Sequence, residues 1–193
     1  MQFIATMRRL SGGKPVGFKL CIGHPWEFLA TCKAMLETEI YPDFIVVDGK
    51  EGGTGAAPLE FLDHLGMPMR EGLNFVHNAL IGINARDRIK LGAAGKIVSA
   101  FDIARVMALG ADWCNSARGF MFALGCIQSQ SCHTDKCPTG VSTQDRVRPV
   151  SYTHLRDAPT RRMRWNASLP RFATAFRRVG RAKRNPPCSR EDR

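Results

Sequence analysis

Four times along this chain a short apolar run is followed by a segment of helical length, and that alternation restricts the fold more than any other feature of the sequence. The runs are Phe18–Gly23, Phe44–Asp48, Arg88–Gly92 and Asp112–Ser116. A strand–helix rhythm of this kind builds a parallel sheet with helical crossovers, so the expected class is α/β. Phe44-Ile-Val-Val-Asp48 is the clearest buried strand, β-branched and bounded by Pro42 and Gly49. Pro25 opens a helical stretch running to Glu39, a mostly helical region follows Pro58, and Phe101 to Leu109 reads as another helix. Four units are too few for a closed eight-unit barrel, which takes roughly 250 residues. At the start, Phe3, Met7 and Leu10 share one helical face with no capping residue ahead of them. Met1 therefore reads as a position inside a helix whose beginning is missing.

Charge divides the chain at about Val150. Residues 1–150 carry sixteen Lys or Arg against fourteen Asp or Glu, whereas 151–193 carry twelve against three. The nearly neutral body offers no basic stripe for a phosphate backbone, which makes nucleic acid an unlikely partner for it. The tail is rich in Arg and interrupted by Pro159, Pro170, Pro186 and Pro187. Two readings of it stand: a disordered basic arm for an acidic partner, or a non-native segment joined to a real fragment. The second is favoured, because the composition matches GC-rich DNA read out of frame. No apolar run reaches the roughly 18 residues of a membrane span, and no signal-peptide pattern opens the chain. A cytoplasmic setting, with reduced thiols and no membrane, is the expectation.

Cys126, Cys132 and Cys137 are spaced C-x5-C-x4-C. Closely spaced cysteines in a reducing compartment are more often metal ligands than disulfide partners. Structural zinc prefers four ligands in close Cys pairs, and neither is evident here. Three thiolates without a clear fourth suit a three-iron, four-sulfide cluster, and Pro138 after the last cysteine matches the Cys-Pro ending of ferredoxin-type runs. The alternative is three free thiols in a loop. Cys21, Cys32 and Cys114 read as small buried hydrophobes, and Trp26 and Trp113 as core. His24, His64 and His77 lack ligand spacing.

Three segments resemble the FMN-binding synthase domain of glutamate synthase: Pro15–Leu20, Asp48-Gly-Lys-Glu-Gly-Gly-Thr-Gly-Ala-Ala-Pro58, and Ala123–Asp145 with its cysteine triplet. The likeness runs from about Met1 to Arg148. It implies a (β/α)8 barrel of which residues 1–150 hold the last four units, with the iron–sulfur loop, and 151–193 a disordered or non-native tail. It also implies FMN, a 3Fe-4S cluster, and reductive amination of 2-oxoglutarate to glutamate. Ammonia would derive from glutamine, and electrons from a donor subunit or ferredoxin, passing to FMN through the cluster.

Site residues follow from the same likeness. Lys19 would face the barrel mouth, stabilising reduced flavin or holding a substrate carboxylate; a solvated strand-end lysine is the alternative. Gly52, Gly53 and Thr54 lie in a glycine-rich turn after a strand, where backbone N–H groups can approach an anion and where barrel active sites are built. Glu51 is a candidate catalytic group, with a solvent-facing turn carboxylate equally open. The phosphate would meet the amides of Gly95, Lys96, Ala117 and Arg118, in the loops after the last two strands. Family members more commonly show Asp-Gly-Gly-Leu-Lys-Thr-Gly where this chain reads Ala94-Gly-Lys-Ile-Val-Ser-Ala100. Cys126, Cys132 and Cys137 would bind the cluster. The alternatives to a glutamate synthase fragment are a basic-tailed nucleic-acid-binding protein and a related FMN barrel for another amino-group transfer. The 193-residue chain alone is expected to carry no stoichiometric FMN.

Overall fold

Val46, Val47 and their neighbours form β2 (Phe44–Asp48), an inner strand of a four-stranded parallel sheet in the order β1-β2-β3-β4. The computed structural model describes residues 1–52 and 60–143. Among these, the elements run α1 (Gln2–Leu10), β1 (Gly17–Cys21), α2 (Pro25–Thr38), β2, α3 (Met69–Gly82), β3 (Lys90–Ala94), α4 (Ala100–Ala108), β4 (Trp113–Asn115) and α5 (Ala117–Leu124), with a 3-10 turn at Cys132–Thr134. The α/β class is therefore as the sequence indicates. None of the described helices is long and apolar enough to cross a membrane. Gly53, Thr54 and the basic tail lie outside the described residues.

The register aligns the carboxyl ends of the strands: Cys21 stands opposite Asp48, Asp48 opposite Ala94, and Ala94 opposite Asn115. Alternation then sorts the side chains. Ile45, Val47, Leu91 and Ala93 point to one face and are fully buried in a single core with Phe28 and Met35 of α2, Leu73, Val76 and Leu80 of α3, and Ile103 and Val106 of α4. All three crossover helices thus cover one side of the sheet. The opposite side carries Lys19, Cys21, Asp48, Gly92, Trp113 and Asn115. Gly92 is required there by close approach, since a Cβ would meet the Trp113 ring at 2.5 Å.

Local signals explain most boundaries. The N-cap Ser99 of α4 accepts from Asp102 N at 3.0 Å and donates its own N–H to the Asp102 carboxylate at 3.0 Å, a reciprocal cap. β3 begins two residues later than the apolar run suggests, because the Arg88 and Ile89 N–H groups close a turn onto Ala85 O and the Arg88 guanidinium stacks 3.9 Å over Tyr41. The helical region expected after Pro58, which lies outside the described residues, begins later: residues 60–66 are turns and a bend, and α3 starts at Met69. On α1 it is Ile4 that is buried, while Phe3 and Leu10 are exposed, since the inward contact is made by the Ile4 side and Arg8. Trp26 is exposed rather than core, stacked on His24 at 4.2 Å. Cys21 is exposed as well, being on the open face at a strand end; Cys32 is buried.

At the amino ends of the strands one device occurs twice. Asp43 donates its N–H to Val16 O at 2.8 Å and accepts Val16 N–H on its carboxylate at 2.7 Å, and Arg8 binds the same oxygen at 2.9 Å. Asp112 treats Leu91 the same way, at 2.7 and 2.8 Å, with Arg86 at 2.9 Å. Burial pushes the pKa of the Asp43 carboxyl up, but the Val16 N–H and the Arg8 guanidinium outweigh it and hold the group below its ordinary range. A carboxylate depressed on folding contributes stability above its unfolded pKa, and that contribution disappears as pH falls through the folded value. Asp43→Asn should therefore cost about 1 kcal/mol at neutral pH, a figure discounted for a side chain 40% exposed. The loss should shrink toward pH 3 in thermal melts; a pH-independent deficit would show that the carboxylate charge is not what matters.

Candidate cofactor and active site

At the carboxyl ends of the strands a cavity of about 720 Å3 opens beside the sheet. Lys19 from β1, Asp48 from β2, Glu51 and Gly52 from the following turn, Gly95 and Lys96 after β3, and Asn115 from β4 all line it. Ala117 and Arg118 at the start of α5 complete that wall, and Cys126 and Cys132 close the far side. Of the expected site residues, all the described ones except Cys137 are brought together here.

The cavity's cations have partners. Lys19 Nζ lies 2.6 Å from Asp48 Oδ2, with Asp48 the more enclosed of the two. Lys96 Nζ lies 2.7 Å from both carboxylate oxygens of Asp63. Glu51 accepts the Met69 N–H on both oxygens, at 2.9 and 3.2 Å, so its carboxylate caps the first turn of α3, where a negative charge is favoured. Gly95 has φ +139° and Lys96 φ +45°, two successive positive-φ residues in the turn after β3. The Ser116 hydroxyl donates to Ile97 O at 2.6 Å, tying this turn to the start of α5. The first turn of a helix leaves N–H groups without intrahelical acceptors, and Ala117 and Arg118 of that turn in α5 line the cavity.

The cysteine loop follows α5. Cys126 and Cys132 line the cavity, but Cys137 is buried, with its sulfur 3.5 Å from Thr139 Oγ1. Burial pushes the Cys137 thiol up, yet hydrogen bonds from Thr139 and Ser142 outweigh it and bring the pKa to about 6. Thr143, itself buried, donates to Asp135 O and to Asp135 Oδ1, both at 2.8 Å, closing the loop. Among the described residues, no three Cys, His, Asp or Glu side chains are gathered closely enough to hold a metal ion.

Sequence reasoning missed Asp48, Asn115 and Asp63. Asp48 and Asn115 carried a usable signal, a polar residue ending an apolar strand. Asp63 carried none, because its partner is 33 residues away.

A four-stranded parallel sheet with helices on one face and a cavity at its strand ends defines the class, an α/β protein. The chain belongs to the glutamate synthase family: residues 1–156 match the model described as the conserved region in glutamate synthase. It is 44% identical over 145 residues to the glutamate synthase large subunit-like protein YerD of Bacillus subtilis (strain 168), covering 75% of this chain and 27% of that protein. It is 39% identical over 103 residues to the glutamate synthase [NADPH] large chain of the same organism, covering 53% of this chain and 7% of the relative. With the ferredoxin-dependent glutamate synthase of Pyropia yezoensis the identity is 41% over 102 residues, covering 53% and 7%. The chain thus spans about a quarter or less of the length of these relatives.

Proposed function

We propose that residues 1–150 are the C-terminal half of the FMN-binding synthase domain of a glutamate synthase, the last four units of a (β/α)8 barrel. Two features support the barrel. The strands follow one another without a switch in order, and the crossover helices cover one face only, whereas doubly wound sheets have helices on both. The observation that carries the function is the convergence of Lys19, the Gly95–Lys96 turn and the Ala117–Arg118 helix start on one cavity in a chain of this family.

That donor set fits a phosphorylated flavin, and the volume lies within the range of cofactor sites. Gly95, Lys96, Ala117 and Arg118 would hold the phosphate, and Lys19 with the Gly52 turn the ring. Reduced FMN, when bound, would supply the hydride for reductive amination of 2-oxoglutarate with ammonia. Lys19, held 2.6 Å from Asp48, is placed to bind an anionic edge or a substrate carboxylate. Glu51 holds the glycine turn against α3, and so fixes the cavity wall from which any acid–base role would be exercised. The three-iron cluster rests on the family pattern of the cysteines: Cys126 and Cys132 already face the cavity, while Cys137 would have to leave Thr139 and Ser142 to join them. Ammonia would come from glutamine, and electrons from ferredoxin or a donor subunit, in the cytoplasm.

The test uses the longer protein that contains this segment, purified without air. It should show flavin absorbance and inorganic sulfide, and form glutamate from 2-oxoglutarate and ammonium with a reduced ferredoxin or nicotinamide donor. A colourless, sulfide-free protein would sink the proposal. Removing 151–193 should leave flavin binding unchanged; loss of polynucleotide affinity on that deletion would favour the basic-tail reading instead.

A further inference from the structure

We infer that Asp63 is a built-in competitor for the anion position at Lys96, so that a phosphate-bearing ligand enters this end of the cavity by exchange with a carboxylate of the chain itself. The inference deepens the phosphate-site reading above and rests on it. Lys96 lines the cavity beside Gly95, in the turn that Ser116 ties to the start of α5. Its ammonium is chelated by both Asp63 oxygens at 2.7 Å, two anionic oxygens on one cation, as a phosphate would present them. Asp63 is not a cavity-lining residue. It reaches in from the 60–66 turns, anchored by its own N–H to Lys50 O at 3.1 Å. Both residues adopt left-handed backbone, φ +66° at Asp63 and +45° at Lys96, a conformation that Asp tolerates well and that is uncommon for a lysine.

The strength of the pair suits exchange. The two side chains are 42% and 44% exposed, and ion pairs of that exposure are weak. A dianionic phosphate gains more from Lys96 and the neighbouring amides than one carboxylate does, so it can displace Asp63, whereas a monocarboxylate has little advantage. Asp63 thereby lowers affinity for every anion at this position and favours the doubly charged ones.

The experiment titrates inorganic phosphate into the full 193-residue chain at constant ionic strength, following the Gly95 and Lys96 amide resonances. Wild type, Asp63→Asn, Lys96→Met and the double variant are compared. Asp63→Asn should bind phosphate about two- to fivefold more tightly than wild type, the range expected for removing an exposed ion pair. In the Lys96→Met background the same change should do nothing. Equal or weaker binding in Asp63→Asn, or a gain that persists without Lys96, overturns the inference. Circular dichroism melts verify folding, and Asp63→Ser replaces the asparagine variant if that one unfolds. If phosphate shows the exchange on the 193-residue chain while the longer protein that contains this segment binds no flavin, the FMN reading fails and the anion exchange stands.

Discussion

Replacing Arg86 with alanine should lower the stability of the described fold by about 3 kcal/mol, because breaking a largely buried ion pair strands its partner. Arg86 donates Nε to His77 Nδ1 at 3.0 Å, Nη1 to Ile89 O at 3.0 Å, and Nη2 to Gly110 O at 2.7 Å and Asp112 Oδ2 at 2.9 Å. These acceptors belong to α3, to the approach to β3 and to the approach to β4, so one side chain joins three parts of the sheet's amino end. Its exposure is 15%, against 25% for Asp112, and water can replace few of the lost bonds. Lysine has one donor centre where the guanidinium spreads five N–H groups in a plane, so Arg86→Lys should recover less than half of the loss. Urea denaturation measures both variants. A deficit under 1 kcal/mol for Arg86→Ala would mean that the network forms without contributing.

A second large effect is expected at Gly49, where β2 ends and the glycine turn begins. A Cβ there would overlap the Glu51 carboxylate and the Met69 side chain, and would lie 2.5 Å from Met69 N. Neither backbone can yield cheaply: Gly49 N is bonded to Ala94 O at 3.0 Å, and Met69 N is held by Glu51. Gly49→Ala should therefore cost about 2–4 kcal/mol, combining overpacking with loss of the α3 cap. Because Glu51 and Gly52 line the cavity, the variant should also weaken phosphate-ligand binding measurably. Glu51→Gln, which keeps the shape and one acceptor, should cost far less. Equal melting midpoints for Gly49→Ala and wild type would show that the turn relaxes freely.

Much of the fold could be read in the sequence because the decisive interactions are local. Pro42 and Gly49 bound β2, Pro25 starts α2 and Ser99 with Asp102 starts α4, each within a few residues of the element it sets. β3 slipped by two residues because the Ala85 turn competes for the same N–H groups, and apolar character alone cannot register that. The exposure of Trp26, Phe3 and Cys21 escaped notice for a related reason: periodicity identifies a helix or strand face but not whether anything packs on it. At the site, Gly95, Lys96, Ala117 and Arg118, expected in the loops after the last two strands, do line one cavity, and their role there is the proposal made above. The partners of the lysines were not, since Asp48 faces Lys19 only through the strand register and Asp63 meets Lys96 only in three dimensions. The cysteines were legible as a group in sequence but not in arrangement: Cys126 and Cys132 line the cavity, while Cys137 is buried with its sulfur against Thr139.

The pairing of both cavity lysines with carboxylates bears on how quickly a ligand arrives. Opposite charges 2.6 and 2.7 Å apart cancel beyond a few ångströms, so these lysines cast little long-range field into solvent. Capture of an anion should then proceed at an ordinary, unsteered association rate, nearly indifferent to added salt. Selectivity would be exerted only after contact, through how fast the wrong anion leaves.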